Sequence, residues 1–312
     1  MPGHAAEFRE DPLPTILAHV RARLAAGDDA VELEVLDPDH GRGRHAGELV
    51  ALAGETWRHR PWRVWVDLAG RLGLRLCTPR PAAPPRVRVR LERLADGARE
   101  QVADPTEKYG AASSFARIAK HEDPDFVLDL ADAVERAGLA PSARVLELGC
   151  NRGDTLALLA DLVPGLATRG ELVGVDHSRS ALGHARARFP GANARFLAAD
   201  LADLESLALG AFDLVLAIDT LQSSGLDDRA LLRRLVQHHL APRGSVVLGL
   251  PNCRYRDGEQ LHGARMLNYS QPELGLLVKD AAFYRKYLQQ HGRTVHVTGH
   301  HELLITAVPI GG

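Results

Sequence analysis

From residue 143 to residue 308, short apolar runs alternate with amphipathic helical segments, and this alternation restricts the fold more than any other feature of the chain. The runs ARVLELG (143–149), ELVGVD (171–176), ARFLAAD (194–200), FDLVLAID (212–219) and GSVVLGLP (244–251) have the length of strands. A strand that is apolar on both sides needs cover on both sides, so the pattern predicts a buried, mainly parallel sheet between layers of helix. Helices are expected from Pro124 (capped by Asp123, closed by Gly138), from Gly153 to Leu162, after the cap Ser178, and near Asp228–Leu240. A longer helix is expected from Pro272 to His291, capped by Ser270. The run RTVHVTGHHELLITAV (293–308) reads as a hairpin of two alternating strands.

The first hundred residues have a different character. Residues 42–93 contain 12 Arg against Glu48, Glu55, Asp67 and Glu92, and hold all three tryptophans, Trp57, Trp62 and Trp65. A helix over Pro14–Ala25, strands at 31–36, 74–78 and 86–94, a hairpin about Gly54, a helix after Pro61 and a loop at 79–86 make a small α+β module. On the strand RVRVRLERL, Arg86, Arg88 and Arg90 share one face. The expected organisation is a basic α+β accessory or substrate domain (1–100), a connecting segment and candidate lid (101–122), and a Rossmann-like α/β domain (123–312) with a C-terminal antiparallel hairpin.

Whole-chain composition excludes several classes. With 45% hydrophobic and 25% charged residues the chain is neither disordered nor fibrous. A net charge of -2 selects no nucleic-acid or membrane partner. No apolar stretch approaches the roughly 20 residues of a membrane span, and MPGHAAEFREDPLP has no signal-peptide core. Cys77, Cys150 and Cys253 form no metal-binding or disulfide spacing, so free thiols, no metal and a cytoplasmic location are expected. The 34 Arg against 4 Lys are read first as genome composition.

In an open α/β sheet, ligands bind outside the carboxyl ends of the strands. Four such ends carry suitable chemistry here. Glu147-Leu148-Gly149-Cys150-Asn151-Arg152-Gly153 runs from strand into helix with glycines four apart, Asp176 ends the second strand, Asp200 the third and Asp219 the fourth. The central glycine of a GxGxxG dinucleotide turn is missing, and no P-loop occurs. Three acids repel a diphosphate and suit a cationic, phosphate-free nucleoside.

With LELGCNRG, VGVDHS, the Asp of LAAD, FDLVLAIDT and LAPRGSVVLGLPN in order, residues 123–308 resemble the class I S-adenosylmethionine-dependent methyltransferases. The resemblance implies S-adenosyl-L-methionine as cofactor. It implies Glu147, Gly149, Cys150, Asn151 and Gly153 around its methionine part, Asp176 with His177 at the ribose, Asp200 with Leu201 at the adenine, and Asp219, Thr220 and Leu221 beside the transferred methyl. Asn151 stands where the family more often has glycine.

The acceptor is less defined. Neither a [DNS]-P-P-[YFW] motif nor a Pro-Cys follows the fourth strand, which removes the resemblance to amino-group methylases of bases and glutamine and to cytosine C5 enzymes. Asp219 and His262 are the candidate general bases. Asn252, Tyr255, Arg265 and Tyr269, in the segment after the fifth strand, are candidate acceptor contacts. His300 and His301 are expected to be structural. Three readings remain open: methylation of RNA (tRNA), toward which the arginine face and Trp57 lean, methylation of a small molecule, and a cofactor-binding regulator without catalysis. Oligomeric state has no signature in the sequence.

Overall fold

The computed structural model describes residues 5–52, 54–95, 104–191, 193–223, 225–263 and 274–311. The chain forms two compact units, Met1–Ala98 with Arg254–His262, and Arg99–Cys253 with Gly263–Gly312.

The first unit contains β1 (Ala6–Glu7), α1 (Leu13–Ala25), β2 (Ala30–Leu36), β3 (Leu49–Leu52), β4 (Glu55–Arg58), α2 (Trp62–Leu72), β5 (Leu74–Leu76), β6 (Arg80–Pro81) and β7 (Arg86–Arg93). Its main sheet has the order β1-β2-β7-β5, with β6 also on β7, and β3 and β4 form a separate hairpin. Leu33, Val89 and Leu91 from the sheet meet Ile16 and Val20 of α1 and Trp65 of α2 in one apolar core. Pro61 lies just before α2 rather than in its first turn, and Gly73 closes that helix at φ 68°. The loop expected at 79–86 contains a short strand, because Arg80 and Pro81 pair with Arg88 and Val87.

The register of β2 against β7 changes the meaning of the arginine face. Glu32 lies opposite Arg90 and Glu34 opposite Arg88. Glu34 pairs with Arg88 at 2.6 Å and Arg86 at 3.1 Å, Glu7 takes Arg86 at 2.5 Å, and Glu92 takes Arg90 at 3.1 Å. The two glutamates of VELEVL, with Glu7 and Glu92, match the three arginines of RVRVRL in a charge ladder that is partly cross-strand. Trp57, considered for base stacking, is 1% exposed and packs with Leu36 and Val50, so its rings are unavailable to a base.

The second unit carries β8 (Arg144–Leu148), β9 (Glu171–Asp176), β10 (Ala194–Ala198), β11 (Phe212–Ile218) and β12 (Leu240–Pro251). The chain then forms the hairpin of β13 (Cys253–Arg256) and β14 (Glu259–His262), and the sheet is completed by β15 (Arg293–Gly299) and β16 (Glu302–Pro309). The order is β10-β9-β8-β11-β12-β16-β15. The first five strands are parallel, and β16 is antiparallel to both β12 and β15. Leu146 and Leu148 face one core with Val215 and Ala217, while Val145 faces the other with Leu214 and Leu216. Alternate residues are therefore buried on opposite faces, the physical reason for the continuous apolar runs.

Helices α3 (Pro124–Ala137), α4 (Asp154–Leu162), α5 (Leu166–Arg169), α6 (Arg179–Arg188), α7 (Asp228–Arg234) and α8 (Leu274–Gln290) cover the sheet strands. Asp123 and Ser178 cap α3 and α6 as their sequences suggest. The helix expected to reach Leu240 stops being α-helical at Arg234, continues as a wider turn over Leu235–His239, and passes into β12 at Leu240. Ser270 and Pro272, expected at the start of α8, lie outside the described residues. Residues 254–262, read from sequence as part of the second domain, group with the first unit. Arg75 pairs with Glu259 at 2.8 Å, and Arg256 donates to the carbonyl of Leu94 at 3.1 Å. Among the described residues no helix is long and apolar enough to cross a membrane.

Candidate functional site

The sheet order reverses between β8 and β11, and the carboxyl ends of these neighbouring strands hold the most unusual backbone of the second unit. Gly149 (φ 67°), Asn151 (φ 45°) and Gly153 (φ 72°) are all left-handed within five residues. The nitrogens of Gly149 and Cys150 both donate to the carbonyl of Val175, at 2.8 and 3.2 Å, so the turn folds back onto the end of β9. Thr220, just past β11, donates its hydroxyl to the carbonyl of Leu148 at 2.8 Å and seals the turn from the other side. A Cβ on Gly149 would lie 2.4 Å from Thr220 Oγ1. Gly149→Val is therefore expected to lose about 2–3 kcal/mol of stability, from left-handed backbone strain and this clash. Urea unfolding of the variant checks it, and an unchanged midpoint would refute the close approach.

Asp176 is 8% exposed and holds the turn electrostatically. Its Oδ2 accepts from the nitrogen of Asn151 at 2.9 Å and its Oδ1 from that of Ser178 at 2.8 Å. Each oxygen keeps acceptor capacity for a further donor. Asn151 tolerates the left-handed region better than most residues. Its amide also works here: Nδ2 donates to the carbonyl of Tyr109 at 2.7 Å and Oδ1 accepts from the nitrogen of Arg152 at 3.0 Å.

Beneath the turn, Glu147 is buried, and burial pushes its carboxyl up to about 8 despite hydrogen bonds from Thr155 and Leu156 at the start of α4. Its Oε2 has no hydrogen-bond partner among the described residues. Burial raises the Cys150 thiol well above its ordinary value, which makes it a packing residue rather than a nucleophile. Asp200 is exposed and accepts from the nitrogen of Ala202 at 2.8 Å, Leu201 beside it is half-buried, His177 is exposed and Leu221 is buried.

The segment 104–122 is tied to these strand ends at three places. Glu107 accepts from the hydroxyls of Ser178, at 2.9 Å, and Ser180, and these bonds hold its carboxyl below the ordinary range. Tyr109 meets Asn151 as described. Lys120 donates to Glu302 Oε2 at 2.8 Å and also pairs with Asp219. Asp219 has φ 55°, an exposed side chain, and a backbone nitrogen bonded to the carbonyl of Gly249 at 3.1 Å.

The other acceptor-side candidates are distributed. Asn252 is buried, with Nδ2 on the carbonyl of His300 at 2.9 Å. Tyr255 and His262 are exposed residues of the β13–β14 hairpin, in the part of it that groups with the first unit. Arg265 and Tyr269 lie outside the described residues. His300 and His301 both turn Nδ1 toward Asp125 Oδ2, at 3.1 and 3.6 Å. Glu107, Lys120 and Glu302 were not singled out from sequence. Lys120 carried one signal, as one of only four lysines in an arginine-rich chain.

Residues 145–244 match the family model described as a methyltransferase domain. This stretch is a methyltransferase domain, in keeping with the class I resemblance of the strand-end motifs. Among curated proteins, the trans-aconitate 2-methyltransferase of Delftia acidovorans is 31% identical over 156 residues, 50% of this chain and 54% of that protein. The carboxy-S-adenosyl-L-methionine synthase of Campylobacter concisus is 37% identical over 110 residues, 34% of this chain and 43% of that one. The chain thus spans about half the length of the curated relatives it matches. A solved magnesium protoporphyrin IX methyltransferase from Synechocystis, with bound S-adenosylmethionine, is 19% identical, with a TM-score of 0.41 over 68% of this chain and 86% of that one. The methyltransferase domain has the Rossmann-like sheet expected from its strand pattern, and the residues around its glycine turn suit the class's cofactor. The turn leaves no side chain between Gly149 and Thr220, and Asp176 keeps free acceptor capacity beside it.

Proposed function

We propose that this chain is an S-adenosylmethionine-dependent methyltransferase acting on a small molecule. The observation that carries the reading is the turn Gly149–Gly153 clasped to a buried Asp176 at the switch point of the sheet. The bound cofactor would supply an activated methyl group on a sulfonium. Gly149, Cys150, Asn151 and Gly153 would hold its methionine part, with Glu147 below them. Asp176 and the adjoining His177 would take the ribose hydroxyls, Asp200 with Leu201 the adenine amine, and Leu221 would pack beside the reacting end near Asp219. The protein's task is then alignment and exclusion of water, and the strapped segment 104–122 suits the second of these.

A small acceptor is favoured over RNA on two grounds. Arg86, Arg88 and Arg90, offered from sequence as a phosphate-binding face, are matched by Glu7, Glu32, Glu34 and Glu92. The named relatives include trans-aconitate methyltransferases, whose acceptor is a small metabolite. Calorimetric titration with S-adenosylmethionine and S-adenosylhomocysteine tests the donor half. Micromolar binding of both is expected, and no binding would overturn the reading. Bulk tRNA at two salt concentrations tests the acceptor half. Affinity that falls steeply with salt would restore the RNA reading.

A further inference from the structure

Two carboxylates, Asp219 and Glu302, converge on one lysine beside the glycine turn. Asp219 follows β11 and Glu302 begins β16, and both strands flank β12, so both acids are anchored to one rigid sheet. Thr220, the neighbour of Asp219, packs against Gly149, which sets the pair next to the cofactor turn. Glu302 is 5% exposed and forms the floor, while Asp219 is exposed and forms the rim.

The cation between them comes from elsewhere. Lys120 stands on the strapped segment rather than on the sheet, is half-buried, and gives its ammonium to both acids. The seat is not saturated. Oε1 of Glu302 is buried without a hydrogen-bond partner among the described residues. It rests over Gly249, where a Cβ would come within 2.6 Å of it, so a side chain there would close the space this oxygen uses. An unpaired acceptor in a dry site costs about 1–3 kcal/mol and is relieved by a ligand N–H.

We propose that Asp219 and Glu302 form the seat for the ammonium group of an amine acceptor, and that Lys120 fills this seat when the acceptor is absent. The proposal deepens the methyltransferase reading and rests on it. An arriving primary ammonium carries the same charge and the same three N–H donors as Lys120, and, coming from another direction, can aim one of them at Glu302 Oε1. A nitrogen nucleophile must give up one proton to free its lone pair. That N–H bond breaks and an O–H bond forms on Glu302, whose burial favours the neutral carboxyl. A carboxylate acceptor would instead face two acids.

The test uses the full chain, its Lys120→Met variant and the double variant that also carries Glu302→Gln. Calorimetry with S-adenosylmethionine comes first, so that failure of the methyltransferase reading registers separately as absence of binding. Thermal unfolding is then followed in n-propylammonium chloride, sodium chloride and sodium propionate at equal ionic strength. The n-propylammonium ion is expected to raise the Tm of Lys120→Met by about 3 °C relative to sodium chloride, and to have no such effect on the double variant. Equal effects of the two chlorides on Lys120→Met, or a larger effect of propionate, overturn the proposal. Should Lys120→Met fail to fold, the intact chain answers the same question. Acetylation of Lys120, read by peptide mass spectrometry, should rise about threefold or more in tert-butylammonium chloride, a primary ammonium too hindered to consume the reagent quickly, over sodium chloride. An unchanged yield there refutes the displacement, as does methyl-ester formation on trans-aconitate by the unmodified chain.

Discussion

Asp176→Ala is expected to weaken S-adenosylmethionine binding by about a hundredfold or more. Two losses combine. The nitrogens of Asn151 and Ser178 lose their charged acceptor, at about 1–3 kcal/mol for each donor left unpaired in a site this buried. In the proposed site the cofactor's ribose hydroxyls would lose theirs as well, and charge-assisted bonds are roughly twice as strong as neutral ones. Asn151 also holds the carbonyl of Tyr109, so release of its backbone should loosen the strap. Calorimetry on Asp176→Ala and Asp176→Asn separates these contributions. The Asn variant keeps one acceptor oxygen and should bind with intermediate affinity. Binding by the Ala variant within a few-fold of the unmodified chain would exclude Asp176 from the cofactor site.

The second large effect belongs to Glu147 and is a dependence on pH. Its carboxyl sits at about 8 in the folded protein against an ordinary 4.5, because burial disfavours the charged form. The folded chain thus binds this proton more tightly than the unfolded chain, and its contribution to stability falls as pH rises. The fall begins near the ordinary value, continues through the folded value of about 8, and amounts in full to about 5 kcal/mol. Glu147→Gln has nothing to ionise and should lose this slope, becoming the more stable form above pH 8. Urea unfolding of both proteins at pH 5.5, 7 and 8.5 measures it. Parallel stability profiles would mean that Glu147 is charged in the fold and satisfied by a group near its Oε2.

Much of the second unit could be read in the sequence because its signals are local. Asp123, Ser178, Gly138 and the strand runs act through their own neighbours, and each element appears within a few residues of its expected place. The glycine turn and the acids at 176, 200 and 219 were legible for the same reason, since a strand end and its following residue are adjacent in the chain. The wider turn at Leu235–His239 was not, because it arises where α7 must pass into β12.

The first unit shows how a correct local reading can mislead about chemistry. The alternation of RVRVRLERL placed Arg86, Arg88 and Arg90 on one face, and the structure has them there. Their use depends on the register of β7 against β2, fifty residues earlier, which brings Glu32 and Glu34 opposite Arg90 and Arg88. Both strands were visible, but not their pairing. Trp57 is a similar case, since a short hairpin has no sequence signature for which of its faces is covered.

Sequence alone therefore determined the alternating architecture, the glycine turn with its ordered acids, and through them the methyltransferase domain. Those features are periodicities and spacings over a few residues, where covalent geometry does most of the work. Only the tertiary structure decided that the arginine face is neutralised and that Lys120, Asp219 and Glu302 meet. These groups stand 99 and 83 residues apart in the chain. Charge interactions act through space, so which charges compensate one another was decided by strand order and register rather than by neighbourhood along the chain.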